Sequence, residues 1–178
     1  MSKKLGMCID PGMSSGIVIF TWDDDEPYER IGAVQVPGGA AGLLREMASP
    51  EVRNAPYDIV VMEKFTPREH GGFNLTEKAV EPLRCEGALL AMLGPEKFAK
   101  VAWQAPAMQY FMGGKDLRER KKNSREFLKK HGLHLTGKDV ERPDADDAIS
   151  ATLHSIAYMR RISHEPTLDK MFPDMPWI

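Results

Sequence analysis

Four acidic residues stand at positions where an α/β protein can gather a catalytic site. Asp10 ends a short apolar segment, and Glu63 directly follows the apolar residues 59–62. Asp144 and Asp147 open a segment with helical periodicity, and their spacing of three places both on one face of its first turn. Sites of α/β folds collect at the carboxyl ends of strands and at the starts of helices. The four side chains are therefore predicted to converge.

A cluster of carboxylates is suited to phosphodiester hydrolysis with metal ions. Mg²⁺ is a hard cation that prefers carboxylate oxygens and retains several waters. Two such ions, about 3.5–4 Å apart, activate a water molecule and stabilise charge on the attacking and leaving oxygens. Without metal, converging carboxylates repel one another and their pKa values rise. The pattern predicts a nuclease site built on Asp10, Glu63, Asp144 and Asp147.

Each acidic residue also has a simpler structural interpretation. An Asp at a helix start is commonly an N-cap, and for Asp144 alone this is the favoured interpretation. Asp10, which precedes a Pro-Gly pair, is compatible with a turn residue. Glu63 is harder to explain, because an acid at the end of a core strand needs a partner and the adjacent Lys64 faces the opposite way. Asp146 is expected to be solvated or to support the metal ligands from outside.

The elements expected around these residues follow an α/β pattern. Strands are predicted over residues 4–10, 17–20, 29–36, 57–62 and 98–103. Helices are predicted over 38–47, from 74 or 76 to 93, near 106–111, and over 116–131 and 143–161. Three strands in succession, followed by alternating helices and strands, indicate a mixed five-stranded sheet that begins antiparallel and is flanked by helices. Residues 1–164 form the expected domain, and 165–178 an extended C-terminal tail that packs on the body or docks a partner.

Composition narrows the class of protein. The 178 residues suit one domain, and no apolar run approaches the roughly 20 residues that a membrane-spanning helix needs. Asp10 interrupts any signal-peptide core, which predicts a cytoplasmic protein without membrane partners. Cys8 and Cys85 lie far apart and lack the spacing of a thiolate metal site, so both are expected to be reduced core residues.

A basic segment is the main candidate for contact with nucleic acid. The chain has a net charge of −2, yet residues 115–130 contain eight basic and three acidic side chains. Arg118, Lys121, Lys122 and Arg125 recur at helical spacings of three and four. A solvated helix face is the commoner explanation of such a run, but the acids are too few to neutralise it. Contacts with DNA phosphates are therefore expected from these four side chains.

Three motifs, at residues 6–12, 60–65 and 144–149, occur in an order and spacing that resemble those of a known family. Residues 6–12 are similar to a G-x-x-I-D-P-G segment, and residues 60–65 to an apolar strand that ends in Glu and is followed by an aromatic residue. Residues 144–149 are similar to a closing D-A-x-D-A segment. The family is the RuvC-type Holliday junction resolvases, particularly small phage-encoded members, and the similarity spans residues 5–160.

This resemblance implies an RNase H-like fold and an enzyme of DNA recombination and repair. The enzyme would be a homodimer that nicks four-way DNA junctions symmetrically with Mg²⁺ or Mn²⁺. Lys115 and Lys121 would correspond to the family's basic residues on the penultimate helix. The metal ligands that it implies are Asp10, Glu63, Asp144 and Asp147.

The sequence departs from the family in the segment after Glu63. The family's aromatic residue follows the glutamate by three positions, whereas Phe65 follows Glu63 by two and Thr66 occupies the third. Phe65 and Phe73 are both candidates for stacking on an unpaired base at the junction centre, and a core or loop-anchoring role is equally compatible with each. These departures bear on junction selectivity more than on nuclease chemistry.

Other classes of function fit parts of the pattern. A nuclease that acts on other branched DNA, on flaps or on RNA would use the same carboxylates. A non-catalytic DNA-binding module would gain nothing from four converging acids. A phosphotransfer enzyme of the sugar-kinase type would need a duplicated domain and a second phosphate loop. We therefore expect a metal-dependent endodeoxyribonuclease that resolves Holliday junctions.

Overall fold

A mixed five-stranded sheet lies at the centre of the fold. The structure is a computed structural model, and it describes residues 2–65, 77–105, 113–136 and 146–174. Its strands are β1 (Lys4–Asp10), β2 (Ser14–Trp22), β3 (Glu29–Pro37), β4 (Ile59–Glu63) and β5 (Ala102–Gln104). The order across the sheet is β3-β2-β1-β4-β5. Neighbouring strands among β1, β2 and β3 are antiparallel, whereas β4 pairs parallel with both β1 and β5. The predicted antiparallel start and parallel continuation are confirmed.

Helices cover both faces of the sheet. Those in the described ranges are α1 (Gly39–Met47), α2 (Pro50–Arg53), α3 (Glu77–Phe98), α4 (Leu117–Lys130), α5 (Asp146–Arg161) and α6 (Glu165–Met171). The short α2 is not predicted from the sequence. The helix expected near 106–111 and the expected first residues of α3 and α5 lie outside the described residues. No described helix combines the length and the apolar character needed to cross a bilayer.

Strand alternation assigns side chains to two separate cores. Cys8 of β1 and Val61 of β4 belong to the core that α4, α5 and α6 cover. Their sequence neighbours on the same strands belong to the core beneath α1 and α3. Because side chains alternate along a strand, Asp10 shares a face with Cys8, and Glu63 shares a face with Val61. Both carboxylates are therefore presented to the face that α5 covers.

The segment that leads into β5 differs from the prediction. The strand expected over residues 98–103 is observed at Ala102–Gln104. The helix expected to end at residue 93 does break there, and a second short helical segment within α3 runs on to Phe98. Gly94 interrupts the helix with a φ of 75°. Pro95 then begins another helical turn, in which the Ala99 N–H donates to the Pro95 carbonyl at 3.0 Å. Proline is well tolerated at a helix start, where its missing N–H leaves no bond unmade.

The predicted extended conformation of the C-terminal tail is wrong for residues 165–171, which form α6. Pro166 stands in the first turn of this helix, where its restricted φ favours helix initiation. Thr167 is buried, and its hydroxyl accepts a hydrogen bond of 2.8 Å from the Tyr28 backbone N–H. Phe172, directly after α6, is fully buried in the core beneath α5. These contacts hold the helix against the body of the protein.

Candidate active site

Asp10 and Glu63 lie side by side because β1 and β4 are parallel neighbours. The register pairs Ile9 with Met62, and each strand ends one residue later in a carboxylate. The apolar residues before each acid are buried, which fixes the register of both strands. The Glu63 side chain is 21% exposed, and Asp10 is also partly accessible. Two acids therefore meet at the carboxyl edge of the sheet, as the sequence predicts.

The first turn of α5 brings Asp147 to the same edge. Gly16 of β2 makes this close approach possible, because a Cβ atom at Gly16 would collide with the backbone carbonyl of Asp147. Gly16 itself is paired with Asp10 across the β1–β2 ladder. Gly16 thus contacts both the start of α5 and the end of β1. Asp147 is therefore close enough to Asp10 for its charge to raise the pKa of Asp10.

The electrostatics of the site are those of crowded acids. Burial raises the pKa of Asp10 well above its usual range, and the charge of Glu63 raises it further. The Ser150 hydroxyl lowers the pKa of Asp10, and Asp147 raises it. Burial likewise raises the pKa of Asp147. A bound cation would offset both the desolvation and the mutual repulsion of these groups.

The side chains present fit a hard divalent cation in their donor chemistry. Asp10, Glu63 and Asp147 all offer carboxylate oxygens, which Mg²⁺ and Mn²⁺ prefer. The hydroxyls of Ser14 and Ser150 lie beside Asp147 and Asp10 and lower their pKa values, yet both buried oxygens lack a hydrogen-bond partner of good geometry among the described residues. Such oxygens suit the waters that Mg²⁺ retains. Within the described ranges, no group of three or more His, Cys, Asp or Glu side chains is in position to hold a metal ion.

Two of the predicted site residues lie outside the described residues. They are Asp144, the fourth predicted ligand, and Phe73, one of the two candidates for base stacking. The other candidate, Phe65, is half-buried two residues beyond the end of β4. It follows Glu63 by two residues in the chain, and its proposed role in stacking stays a prediction.

The site also contains a buried histidine, which the sequence analysis did not identify. His154 of α5 is fully buried, and its Nε2 lies 2.6 Å from Oε2 of Glu63. The signal was present in the sequence, because His154 follows Asp147 by seven residues and so lies on the same helical face two turns later. It stands in a helix that is buried around most of its circumference, where an imidazole needs a polar partner.

The basic helix α4 is joined to the start of α5 by ion pairs. Lys121 Nζ donates to Asp146 Oδ2 at 2.6 Å, and Arg125 donates to Asp146 Oδ1 at 2.8 Å. Asp146 is therefore neither simply solvated nor directed at the carboxylates. Arg118 and Lys122 are exposed, and together with Lys115 and Arg125 they line a shallow surface depression. Four of the five predicted phosphate-binding side chains therefore lie on α4, and the fifth, Lys115, lies just before its N-cap. The ion pairs with Asp146 join this helix to the start of α5, where Asp147 lies.

Removing the two cations that pair with Asp146 should weaken binding to every DNA. In a Lys121→Gln/Arg125→Gln variant, the slope of log affinity against log salt should fall by about 0.9 for each phosphate of duplex DNA that the protein no longer neutralises. Fluorescence anisotropy across a salt series measures this slope. Asp146→Asn is the matched control, because it keeps both cations and removes the competing carboxylate, and it should bind DNA more tightly. An unchanged slope in the double variant would show that Lys121 and Arg125 serve only to dock α4.

Comparison with known proteins identifies the fold. No protein-family model matches the chain, and no curated protein sequence matches it significantly. Among solved structures, it is similar to T. thermophilus RuvC in complex with Holliday junction substrate, with a TM-score of 0.51, 16% identity, and coverage of 90% of this chain and 97% of that one. It is also similar to the yeast mitochondrial Holliday junction resolvase Ydc2, with a TM-score of 0.48, 13% identity, and coverage of 92% and 82%. The likeness to RuvC shows that the chain has an α/β fold of the RNase H-like type, as its sequence predicts.

Proposed function

We propose that this protein is a metal-dependent endonuclease that resolves Holliday junctions by nicking two symmetry-related strands. The observation that carries the proposal is the meeting of Asp10, Glu63 and Asp147 at one edge of the sheet. The structurally similar RuvC of T. thermophilus was solved in complex with Holliday junction substrate, which supports four-way junctions as the substrate class.

Four carboxylates would hold the metal in this proposal: Asp10, Glu63, Asp147 and the undescribed Asp144. When bound, two Mg²⁺ or Mn²⁺ ions supply a nucleophilic water at neutral pH and stabilise charge on the phosphodiester oxygens. The chain contributes a crowded set of acids, whose repulsion favours cation uptake. It also contributes the buried hydroxyls of Ser14 and Ser150, which can bind ordered water.

The proposed DNA-binding surface consists of α4 and the residue that precedes its cap. Lys115, Arg118, Lys122 and Arg125 line one depression, and Lys121 lies on the side of α4 that faces Asp146. Because Asp146 directly precedes Asp147, its ion pairs fix α4 relative to the carboxylates. Phosphates bound by α4 would therefore hold a DNA strand next to the site. Phe65 or Phe73 would stack on an unpaired base where the strands exchange.

A homodimer would supply the second cut. Leu83 and Leu90 of α3 are 46% and 40% exposed, and the exposed Gly87 lies between them on the same helical face. Ala88 and Leu89 of the same helix are buried, and Leu89 belongs to the core beneath α1 and α3. An exposed stripe of leucine and glycine at spacings of three and four suits close helix packing around a two-fold axis.

Resolution of a cruciform plasmid should yield linear product without accumulation of nicked circles. A cruciform is reabsorbed once an enzyme dissociates after one nick, so only paired cuts within one complex give linear DNA. Agarose gels of a time course, with sedimentation at the same protein concentration, measure both outcomes. A Leu83→Glu/Leu90→Glu variant should sediment as a monomer and give nicked circles. Wild-type protein that stays monomeric with junction DNA and yields only nicked circles contradicts the proposed resolvase.

A further inference from the structure

The fully buried His154 has one hydrogen-bond partner of good geometry and one nitrogen without any. Its Nε2 lies 2.6 Å from Oε2 of Glu63, while its Nδ1 is buried without a partner among the described residues. As a metal ligand, Glu63 would be ionised and could only accept a hydrogen bond, so the Nε2–H of His154 would be the donor.

A second buried histidine shows what a structural imidazole looks like in this fold. His164 is 8% exposed, and both of its nitrogens are satisfied: Nδ1 lies 2.7 Å from the Thr167 hydroxyl and Nε2 lies 2.6 Å from the Asp23 carbonyl. In His154, by contrast, Nδ1 has no hydrogen-bond partner among the described residues, and Nε2 contacts the Glu63 carboxylate of the candidate site. An apolar residue would fill the same volume without leaving a buried nitrogen unpaired.

Three polar side chains follow one another along the face of α5 that is directed at Asp10 and Glu63. Asp147, Ser150 and His154 are separated by three and four residues, and so they follow one line along the helix. Asp147 acts on Asp10 through its charge, Ser150 lies beside Asp10, and His154 contacts Glu63. One helix thus reaches both strand-end acids.

We propose that His154 is a positioning residue that holds Glu63 in the orientation required for metal binding. Its Nε2–H occupies Oε2 of Glu63 and leaves the other carboxylate oxygen for the cation. Groups that orient a metal ligand through a hydrogen bond fix its rotamer and tune its basicity, and their loss typically lowers metal affinity by about 10–100-fold. The inference rests on the proposed function in taking Glu63 as a ligand. It adds a residue that touches neither metal nor substrate.

The test compares two amides that differ in reach. In His154→Gln the amide nitrogen stands near the position of Nε2 and can donate to Glu63, whereas in His154→Asn it stands near Nδ1 and cannot. Mn²⁺ binding to the full chain, measured by electron paramagnetic resonance without DNA, should stay close to wild type in the glutamine variant. In the asparagine variant it should weaken by about 10–100-fold. Equal affinities in the two variants would overturn the proposal.

A matched control and a measurement on the unaltered protein complete the test. His164→Gln removes the other buried imidazole and should leave Mn²⁺ affinity unchanged. Nitrogen-15 spectra of the wild type should show His154 as the Nε2–H tautomer, with its Nε2 signal shifting on addition of Mg²⁺. An Nδ1–H tautomer, or a signal that ignores Mg²⁺, would overturn the proposal even where a variant fails to fold.

The result also separates this inference from the proposed function. A wild-type protein that cuts junctions, combined with wild-type Mn²⁺ affinity in His154→Asn, refutes the role of His154 and leaves the nuclease proposal standing. A wild-type protein that cuts no branched DNA, combined with weakened Mn²⁺ binding in that variant, refutes the nuclease proposal and supports the role of His154.

Discussion

Replacing Asp10 with asparagine should reduce cleavage of junction DNA by at least about a hundredfold, the upper end of the effect typical of residues that merely support a metal ligand. Asparagine keeps the shape of the side chain and removes the charge that holds a cation. Glu63→Gln and Asp147→Asn should have the same effect, and so should Asp144→Asn. DNA binding should stay close to wild type, because the proposed phosphate contacts come from α4. Single-turnover nicking assays and anisotropy measure the two properties separately.

Loss of activity in Asp10→Asn should coincide with a gain in stability when metal is absent. The pKa of Asp10 is raised in the folded protein, chiefly by burial and then by Glu63. Ionisation of such a group favours the unfolded state, so the free energy of unfolding falls as pH rises from the unfolded pKa through the folded one. Asparagine does not ionise, so Asp10→Asn should raise Tm in chelator at neutral pH.

Asp58→Asn is the matched control for the carboxylate variants. Asp58 lies just before β4, at the opposite end of the strand from Glu63, and its carboxylate accepts a hydrogen bond of 2.8 Å from the Leu5 N–H. An asparagine oxygen can accept the same bond, so cleavage should be unaffected. Near-normal turnover in any two of the four site variants would sink the assignment of the carboxylates.

Substituting Gly16 with alanine should damage both stability and cleavage. The added methyl group would meet the backbone of Asp147 and Ala148, which cannot yield as a flexible side chain can. The start of α5 must then move away from β2 and carry Asp147 away from Asp10. Overpacking of this kind typically costs about 1–3 kcal/mol of stability. Thermal unfolding, junction cleavage and Mn²⁺ affinity should all fall together.

Gly32→Ala controls for the loss of a glycine from the same sheet. Gly32 lies in β3, and a Cβ atom built on it meets nothing within 4 Å. Its replacement should leave cleavage unchanged and stability nearly so. A Gly16→Ala variant that retains wild-type cleavage would show that the contact between β2 and α5 does not determine where Asp147 lies.

The three described carboxylates could be predicted because each stands at the end of a strongly patterned segment. Buried apolar residues precede Asp10 and Glu63, and the parallel pairing of two such strands brings their ends together. The start of α5 is marked by acids and followed by small and apolar residues. In each case a local pattern determines the element, and the side chain's position at its end follows.

The parts that the sequence did not predict depend on contacts between distant segments. The bond from His154 to Glu63 spans 91 positions, and the pair between Lys121 and Asp146 spans 25. No helical or strand periodicity encodes such distances. β5 begins at Ala102 and not at residue 98, because a helical turn follows Pro95. The apolar residues that begin at 98 had instead favoured a strand.

Nicking of a labelled substrate panel tests whether the protein is a metal-dependent junction resolvase. Four-way junction, flap, duplex and RNA:DNA hybrid should be incubated side by side with wild-type protein, in Mg²⁺, in Mn²⁺ and in excess chelator. We expect symmetric nicks in the junction with either metal, little cleavage of duplex, and no cleavage in chelator or by Asp10→Asn. Full activity in chelator, or a preference for flap or hybrid over the junction, would contradict it.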